Sequence, residues 1–188
     1  MSTWNGFEHL VREQEPLAMH TWLQLGGPAE FFAEPQTVDE LVGLVQRCHE
    51  TGTPIRVLGR GSNVLIRDEG VPGLVLRLSA PDFCRVSVAD NRLTAGGGAR
   101  LGRVVTTAVH AGLGGIEVLI AIPGTFGGAL HGNAGAHGGD IGQWVASAEV
   151  LTYDGQVCSR DRDELVFGYR QSSLDDLVIL SAVLELDP

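Results

Sequence analysis

The sequence contains no lysine, and all 13 of its basic residues are arginine. This absence excludes the lysine of P-loop nucleotide sites and the lysine that forms Schiff bases in covalent catalysis. A chain of this composition that binds phosphate must use backbone N–H groups or arginine side chains. Its 23 acidic residues give a formal net charge of −10. That charge argues against a nucleic-acid partner, because nucleic-acid-binding proteins usually present a basic face.

Features of secreted, metal-binding and membrane proteins are also missing. The three cysteines, Cys48, Cys84 and Cys158, form no C-x-x-C pair, which disfavours a disulfide framework or a zinc site. No apolar run is long enough to span a bilayer, and residues 1–11 lack the basic start and apolar stretch of a signal peptide. We expect a cytoplasmic protein without a metal ion or a membrane partner.

Glycine, in contrast, is about twice as frequent as in an average protein, with 26 residues. Fifteen of them lie between Gly96 and Gly142, among Ile, Pro, Leu, Ala and Asn. A flexible linker would mix glycine with serine and other polar residues. The pattern therefore indicates ordered backbone that packs closely against something.

Hydrophobic periodicity predicts two lobes of mixed helix and strand. The first, about 17–81, should contain a helix from Thr37 to Cys48 and strands at 31–33, 55–58, 64–66 and 74–78. The second, about 82–188, should contain a helix at 101–111 and strands at 85–88, 92–95, 145–153, 156–159 and 178–186. Strands outnumber helices and come in hairpins, so we predict an α+β fold and not a doubly wound parallel sheet.

The first glycine-rich loop, Gly59-Arg60-Gly61-Ser62-Asn63, directly follows the predicted strand 55–58. It lacks the third glycine of the dinucleotide fingerprint, and the residues after it look like a strand, which excludes a Rossmann site. Such a turn can still bind an anion when consecutive N–H groups point into a concave nest. A tight β-turn without any ligand is the alternative interpretation.

The second loop is Ile122-Pro123-Gly124-Thr125-Phe126-Gly127-Gly128-Ala129. Pro123 fixes its own φ, and Gly124 permits a sharp reversal. Because Gly127 and Gly128 carry no side chain, a flat ligand or a phosphate could approach the backbone here. A close crossing of two backbone segments would explain the same small residues.

Four motifs occur in order: G59-x-G-S-N-x-L65, I122-P-G-T-x-G-G-A129, N133-A-G-A136 and F167-G-Y-R-x-S172. An opening segment, His20-Thr21 with Gly26-Gly27, precedes them. Together they resemble the UDP-N-acetylenolpyruvoylglucosamine reductase family, within the vanillyl-alcohol-oxidase-type, or PCMH-type, FAD-binding superfamily. The resemblance covers nearly the whole chain, with departures at Gly132, where the family usually has methionine, and at Leu174, where an aromatic residue is common.

The resemblance implies a two-lobed PCMH-type FAD-binding domain that holds FAD noncovalently. Both loops would wrap the FAD pyrophosphate, while Ile122 and the 133–136 segment would lie near the flavin. The cofactor-binding residues implied in this way are Gly59, Arg60, Gly61, Ser62, Asn63, Val64, Leu65, Ile122, Pro123, Gly124, Thr125, Gly127, Gly128, Asn133, Ala134 and Gly135.

The resemblance also implies that Tyr169 and Arg170 face the substrate, with Arg170 holding the enolpyruvyl carboxylate. Arginine suits this role because its planar fork matches a carboxylate in a bidentate manner and stays charged. The residues alone favour a different interpretation, a surface salt bridge between Arg170 and Asp161 or Asp163.

The family's reaction uses NADPH and FAD to reduce UDP-N-acetylglucosamine enolpyruvate to UDP-N-acetylmuramate, a peptidoglycan precursor. Its enzymes continue into a substrate-binding domain that supplies a serine or cysteine acid and a glutamate, so we expect this chain alone to be inactive. Ser172 and Ser173 are the nearby hydroxyl candidates for that acid besides Tyr169. The alternative function is a stand-alone flavin-binding module, or a part of another FAD-dependent oxidase.

Overall fold

A computed structural model describes residues 4–188, so the first three residues of the N-terminal segment lie outside the described part. The chain forms two compact units. Unit 1 runs to Ala80 and includes Tyr153–Gln156, and unit 2 consists of Pro81–Thr152 and Val157–Pro188.

Unit 1 is built on a four-stranded mixed sheet. Its elements are β1 (Val11–Pro16), a 3₁₀ turn (Leu17–His20), β2 (Pro28–Ala33), α1 (Val38–Thr51), β3 (Ile55–Val57) and β4 (Val71–Leu76). The strand order is β1-β2-β4-β3. The β1–β2 pair is antiparallel, whereas β4 runs parallel to both β2 and β3.

Helix α1 begins at the predicted N-cap, where the Thr37 hydroxyl accepts the N–H of Glu40 at 3.2 Å. The Glu40 carboxylate returns to the N–H of Gln36 at 2.7 Å, one residue before the position expected for a capping box. Gly52 ends the helix with φ of +67°, as the sequence indicated, although the helix extends three residues beyond Cys48. Its buried face includes Leu41, Leu44, Val45 and Cys48.

The predicted strand at 64–66 is wrong, because these residues are not part of any strand of the sheet. Leu65 is 75% exposed, and only Ile66 packs against the unit 1 core. The apolar run therefore extends along the surface after the first loop. The rejection of a Rossmann site holds nevertheless, since no helix follows that loop.

Unit 2 contains a five-stranded antiparallel sheet, in the order β10 (Val157–Asp161), β9 (Val145–Leu151), β13 (Val178–Glu185), β6 (Arg92–Gly96) and β5 (Val86–Ala89). Its helices are α2 (Leu101–His110) and α3 (Phe126–His131), and 3₁₀ turns occur at Pro81–Cys84, Glu117–Leu119, Ile141–Gln143 and Arg162–Glu164. The shorter strands are β7 (Gly135–Ala136), β8 (Gly139–Asp140), β11 (Phe167–Gly168) and β12 (Gln171–Ser172).

One face of this sheet packs against α2 and α3 to form the main core. The hairpins β5–β6 and β9–β10 form where the sequence predicted them, across Asp90-Asn91 and Asp154-Gly155. Helix α2 buries the predicted apolar face Leu101, Val104, Val105 and Ala108. These elements confirm the α+β class. Among residues 4–188, no helix combines the length and the apolar character needed to cross a bilayer.

Cys48 differs from the other two cysteines in its surroundings. It is 1% exposed on α1, and burial raises the pKa of its thiol to about 12, whereas Cys84 and Cys158 are partly exposed. The thiolate is the reactive form, so a raised pKa slows attack on a disulfide reagent.

We predict that Ellman's reagent modifies Cys84 and Cys158 first at mildly alkaline pH, and Cys48 only on unfolding. The slow thiol should disappear in Cys48→Ala, and equal rates for all three thiols would contradict the prediction.

Candidate functional site

The first loop, residues 59–63, is held in shape by a backbone contact at its centre. Gly61 has φ of +63°, and a Cβ at this position would overlap the carbonyl oxygen of His20 and the Cα of Thr21. The N–H of Trp22 also donates to the carbonyl oxygen of Gly61 at 2.9 Å. Only glycine fits here, so the loop is fixed by the segment that carries the His20-Thr21 motif.

Several backbone donors of this loop have no acceptor within the described part of the chain. The N–H groups of Gly59, Gly61 and Asn63 donate no hydrogen bond within residues 4–188. Val64 and Leu65 follow with exposed side chains. An ordered loop with unpaired N–H groups is the kind of backbone that binds an anion in a chain without lysine.

The second loop, in unit 2, is anchored by main-chain hydrogen bonds to residues 97–101. The N–H of Leu101 donates to Gly124, and the N–H groups of Phe126 and Gly127 donate to Ala99 and Gly97 at 2.8 Å. Gly124 has φ of +125°, a conformation that requires glycine. Ile122 is partly buried against the main core.

The end of this loop is a short helix, α3, which the sequence analysis did not predict. Thr125 caps it by accepting the N–H of Gly128 at 3.2 Å. Phe126, Ala129 and Leu130 form its buried face, at a helical spacing that the two glycines between them obscured. The cap and this spacing were the signal that could have revealed the helix.

Gly127 and Gly128 differ in their surroundings. A Cβ on Gly127 would lie 3.0 Å from the carbonyl oxygen of Gly97, which is tighter than ordinary packing. The close crossing of two backbones therefore accounts for Gly127. Gly128 is exposed, and a Cβ there would meet only the hydroxyl oxygen of Thr125 at 3.2 Å. Gly128 is the position at which the backbone is open to a ligand.

Asn133 is buried, with a left-handed backbone at φ of +42° and both ends of its amide in use. Its Nδ2 donates to the carbonyl oxygen of Gly168 at 2.9 Å, and its Oδ1 accepts the N–H of Gly142 at 3.0 Å. Ala134 is buried next to it, and Gly135 lies in β7. The Asn133 side chain thus connects the segment after α3 to the β11–β12 hairpin.

Tyr169 and Arg170 form the tip of that hairpin. Tyr169 is 91% exposed, and the guanidinium carbon of Arg170 lies 5.9 Å from the centre of its ring. The backbone of Arg170 has φ of +58°, which favours glycine or asparagine. Within residues 4–188 Arg170 makes no salt bridge, so the expected surface pair with Asp161 or Asp163 does not form.

The hydroxyls of the two serines that follow Arg170, Ser172 and Ser173, form hydrogen bonds with the main chain. Ser172 donates to the carbonyl oxygen of His131 at 2.9 Å, and Ser173 accepts the N–H of Val166 at 2.9 Å. Among the described residues, no cluster of His, Cys, Asp or Glu has the arrangement of a metal site.

A family model described as the FAD binding domain matches residues 29–160. The chain belongs to the FAD-binding domain family. This match spans both loops, Asn133 and the strands between them, and FAD is the cofactor of the family.

Within this family the chain is similar to UDP-N-acetylenolpyruvoylglucosamine reductases. It is 44% identical over 180 residues to the reductase of Rhodopirellula baltica, a match that covers 96% of this chain and 59% of that protein. It is 43% identical to the reductase of Pediococcus pentosaceus, over 94% of this chain and 59% of the relative. The chain therefore spans about 59% of the length of these curated relatives.

Solved structures give the same result for the fold. The reductase (MurB) from Thermus caldophilus superposes with a TM-score of 0.78 at 37% identity, covering 95% of this chain and 64% of that one. A solvent-stable cholesterol oxidase superposes with a TM-score of 0.72 at 20% identity, over all of this chain and 40% of the oxidase. The second likeness concerns the fold alone.

The residues present fit FAD by the chemistry of their donors. The FAD pyrophosphate is an anion, and the first loop offers unpaired N–H groups on a fixed backbone. The second loop, described separately in unit 2, has unpaired N–H groups at Gly124 and Thr125 within the described residues, and the backbone of Gly128 after them is exposed. Neither set depends on a lysine, which the sequence lacks.

Substitution of two asparagines of the predicted site tests which of the two side chains stabilises the fold. We predict that Asn133→Ala lowers the free energy of unfolding by about 2–3 kcal/mol, because it leaves the buried N–H of Gly142 and carbonyl of Gly168 unpaired. Asn63→Ala, at an exposed position, should change it by less than about 0.5 kcal/mol. Urea denaturation of the two variants measures both values, and equal losses would show that Asn133 has no special structural role.

Proposed function

We propose that this chain is the FAD-binding part of a UDP-N-acetylenolpyruvoylglucosamine reductase. The observation that carries the proposal is 44% identity to such a reductase over 96% of the chain. The exposed Tyr169-Arg170 tip supports it, because Arg170 is free of protein carboxylates within residues 4–188 and is available to a substrate anion.

The first task of these residues is to hold the cofactor. In this proposal unit 1 contributes the unpaired N–H groups of the first loop to binding of the FAD pyrophosphate, and unit 2 contributes those of Gly124 and Thr125. Ile122 and residues 133–135 of unit 2 would border the flavin. Arg60 and Ser62 add side-chain donors to the first loop. The buried amide of Asn133 acts within the protein, so this residue contributes to cofactor binding through its main chain.

The second task belongs to the tip of the β11–β12 hairpin. Arg170 is proposed to bind the enolpyruvyl carboxylate of a UDP-sugar through its guanidinium fork, and to stabilise negative charge that develops on the substrate. Tyr169 stands beside it with its ring within reach of the guanidinium. Asn133 supports this tip because it holds the carbonyl of Gly168, the residue before Tyr169.

Bound FAD supplies hydride chemistry, with NADPH as the proposed donor and the enolpyruvyl group as the proposed acceptor. The protein's own share is to place the reacting atoms and to fix the charges around them. The product in this proposal is UDP-N-acetylmuramate, a precursor of peptidoglycan, formed in the cytoplasm.

A flavin-binding module without this turnover is the second candidate. It is favoured by the hydroxyls of Ser172 and Ser173, which both make hydrogen bonds to the main chain and are not poised as a proton donor. A general acid typically contributes about 10²–10⁴-fold to such a reaction. The chain assayed by itself would then bind FAD and not turn over.

FAD binding is tested by a pair of glycine substitutions. We predict that the wild-type protein is yellow and releases free FAD on denaturation. Gly128→Val should weaken FAD binding about tenfold or more, because its branched side chain occupies the space beside the exposed backbone. Gly155→Val, in the β9–β10 turn with φ of +80°, should lower the melting temperature and leave the affinity for FAD unchanged. Titration with flavin fluorescence gives both dissociation constants.

A colourless wild-type protein that takes up no added FAD would remove the cofactor role altogether. Equal loss of affinity in the two variants would instead count against the second loop as the site of contact. Gly127→Val is a poor probe for this purpose, because its close contact with Gly97 ties it to the stability of the fold.

The substrate role of Arg170 is tested in the complete gene product that contains this chain. We predict that Arg170→Ala lowers kcat/KM for the enolpyruvyl substrate about 100-fold or more and leaves the flavin absorbance unchanged, because the lost contact is to substrate. Oxidation of NADPH that depends on the enolpyruvyl substrate is the measurement.

Arg92→Ala is the matched control, since Arg92 is also an exposed arginine of unit 2 and its one ion pair within residues 4–188 is a surface pair with Glu185. Arg170→Lys keeps the charge and loses the fork, and its activity should fall between those of the wild type and Arg170→Ala. An Arg170→Ala enzyme as active as the Arg92→Ala enzyme would refute the assignment.

A further inference from the structure

The imidazole of His20 is held from both sides in unit 1. Its Nε2 lies 2.8 Å from a carboxylate oxygen of Glu15, and its Nδ1 lies 2.7 Å from a guanidinium nitrogen of Arg77. The ring stacks on the buried Phe32 at a centroid distance of 4.6 Å, and the side chain is 11% exposed. A histidine held by three partners has little freedom to move.

The partners determine which ring nitrogen donates and which accepts. A guanidinium only donates hydrogen bonds, so Nδ1 must accept with its lone pair. The hydrogen is therefore on Nε2, which donates it to Glu15. His20 thus has one defined tautomer in this arrangement, and each of its nitrogens has a separate partner.

The same contacts continue into a small network of charges. Glu34 lies 3.9 Å from Arg77 and accepts hydrogen bonds from Arg12 and from the Ser79 hydroxyl, each at 2.7 Å. Arg12 also lies 3.4 Å from Glu15 and stands over the ring of Phe32. The network joins β1, the end of β2 and the segment after β4, so it anchors the ring to three parts of the sheet.

The main chain of His20 touches the first loop directly. His20 ends the 3₁₀ turn at Leu17–His20, and its carbonyl oxygen fills the space that a side chain on Gly61 would need. The next two residues continue the contact, through the Cα of Thr21 and the N–H of Trp22. A shift of His20 would therefore move the backbone that fixes Gly61.

We propose that His20 is a positioning residue for cofactor binding. The clamp of its ring between Glu15 and Arg77 holds the main chain of residues 20–22 against Gly61, and so sets the directions of the N–H groups in the Gly59–Asn63 loop. Backbone donors bind an anion well only when their directions are fixed in advance. The inference rests on the proposed role of this loop in binding FAD.

The test compares FAD affinity with stability in four variants. His20→Leu removes both hydrogen bonds of the ring, and His20→Asn keeps an acceptor near the position of Nδ1 for Arg77. Arg77→Ala removes one side of the clamp without changing His20, and it serves as the readout if His20→Leu does not fold. Leu44→Ala, on the buried face of α1, is the stability control, because it destabilises unit 1 and Leu44 is not a member of the core cluster that contains Phe32.

Dissociation constants for FAD are measured by flavin fluorescence, and melting temperatures are measured without FAD. His20→Leu should weaken FAD binding about tenfold or more and Arg77→Ala severalfold, as expected when a hydrogen bond to a charged partner is lost. His20→Asn should stay within about threefold of the wild type, and Leu44→Ala within about twofold despite a lower melting temperature.

An unchanged affinity in His20→Leu and Arg77→Ala would overturn the inference while FAD binding itself stands. A loss in Leu44→Ala as large as in His20→Leu would also overturn it, since His20 would then act only through stability. A wild-type protein that binds no FAD would overturn both this inference and the proposed role of the loop.

Discussion

Close contact between two stretches of backbone, made at a glycine that carries no Cβ, is the constraint on which both loops depend. Gly61 lies against the main chain of His20 and Thr21, and Gly127 lies against Gly97. Each contact holds a loop without any side chain, while the N–H groups of Gly59, Gly61, Asn63, Gly124 and Thr125 donate no hydrogen bond in the described part of the chain. In a protein without lysine, such fixed backbone is one source of donors for a phosphate group, and arginine side chains are the other.

Elements that depend on local pattern could be predicted from the sequence. Helix α1 has its cap at Thr37 and its end at Gly52, and the β9–β10 hairpin has Asp154-Gly155, so neighbouring residues specify each one. Two parts of the secondary structure were not predicted correctly, because tertiary contacts determine them. Residues 64–66 have the composition of a strand and find no partner in the sheet, whereas α3 forms around glycines because Phe126 and Leu130 are drawn into the core.

The sequence predicted the two loops of the candidate site but not the packing roles of individual residues in them. Small residues marked the loops correctly as unusual, yet Gly61 and Gly127 serve backbone packing more than open space. The role of Asn133 could not be read from spacing, because its partners Gly142 and Gly168 are 9 and 35 residues away. The salt bridge expected for Arg170 does not form for a related reason. Arg170 lies in the turn between β11 and β12, with a left-handed backbone, and this tertiary arrangement could not be inferred from sequence spacing.

The left-handed backbone of Arg170 has a consequence for how this chain can evolve. A side chain at φ of +58° costs on the order of 1 kcal/mol relative to glycine, so folding stability by itself would favour a glycine at this position. Under the proposed substrate role, the arginine is a compromise between stability and activity at a single position. Stability-guided redesign of the protein would tend to replace this arginine, and the fold by itself would give no reason to keep it.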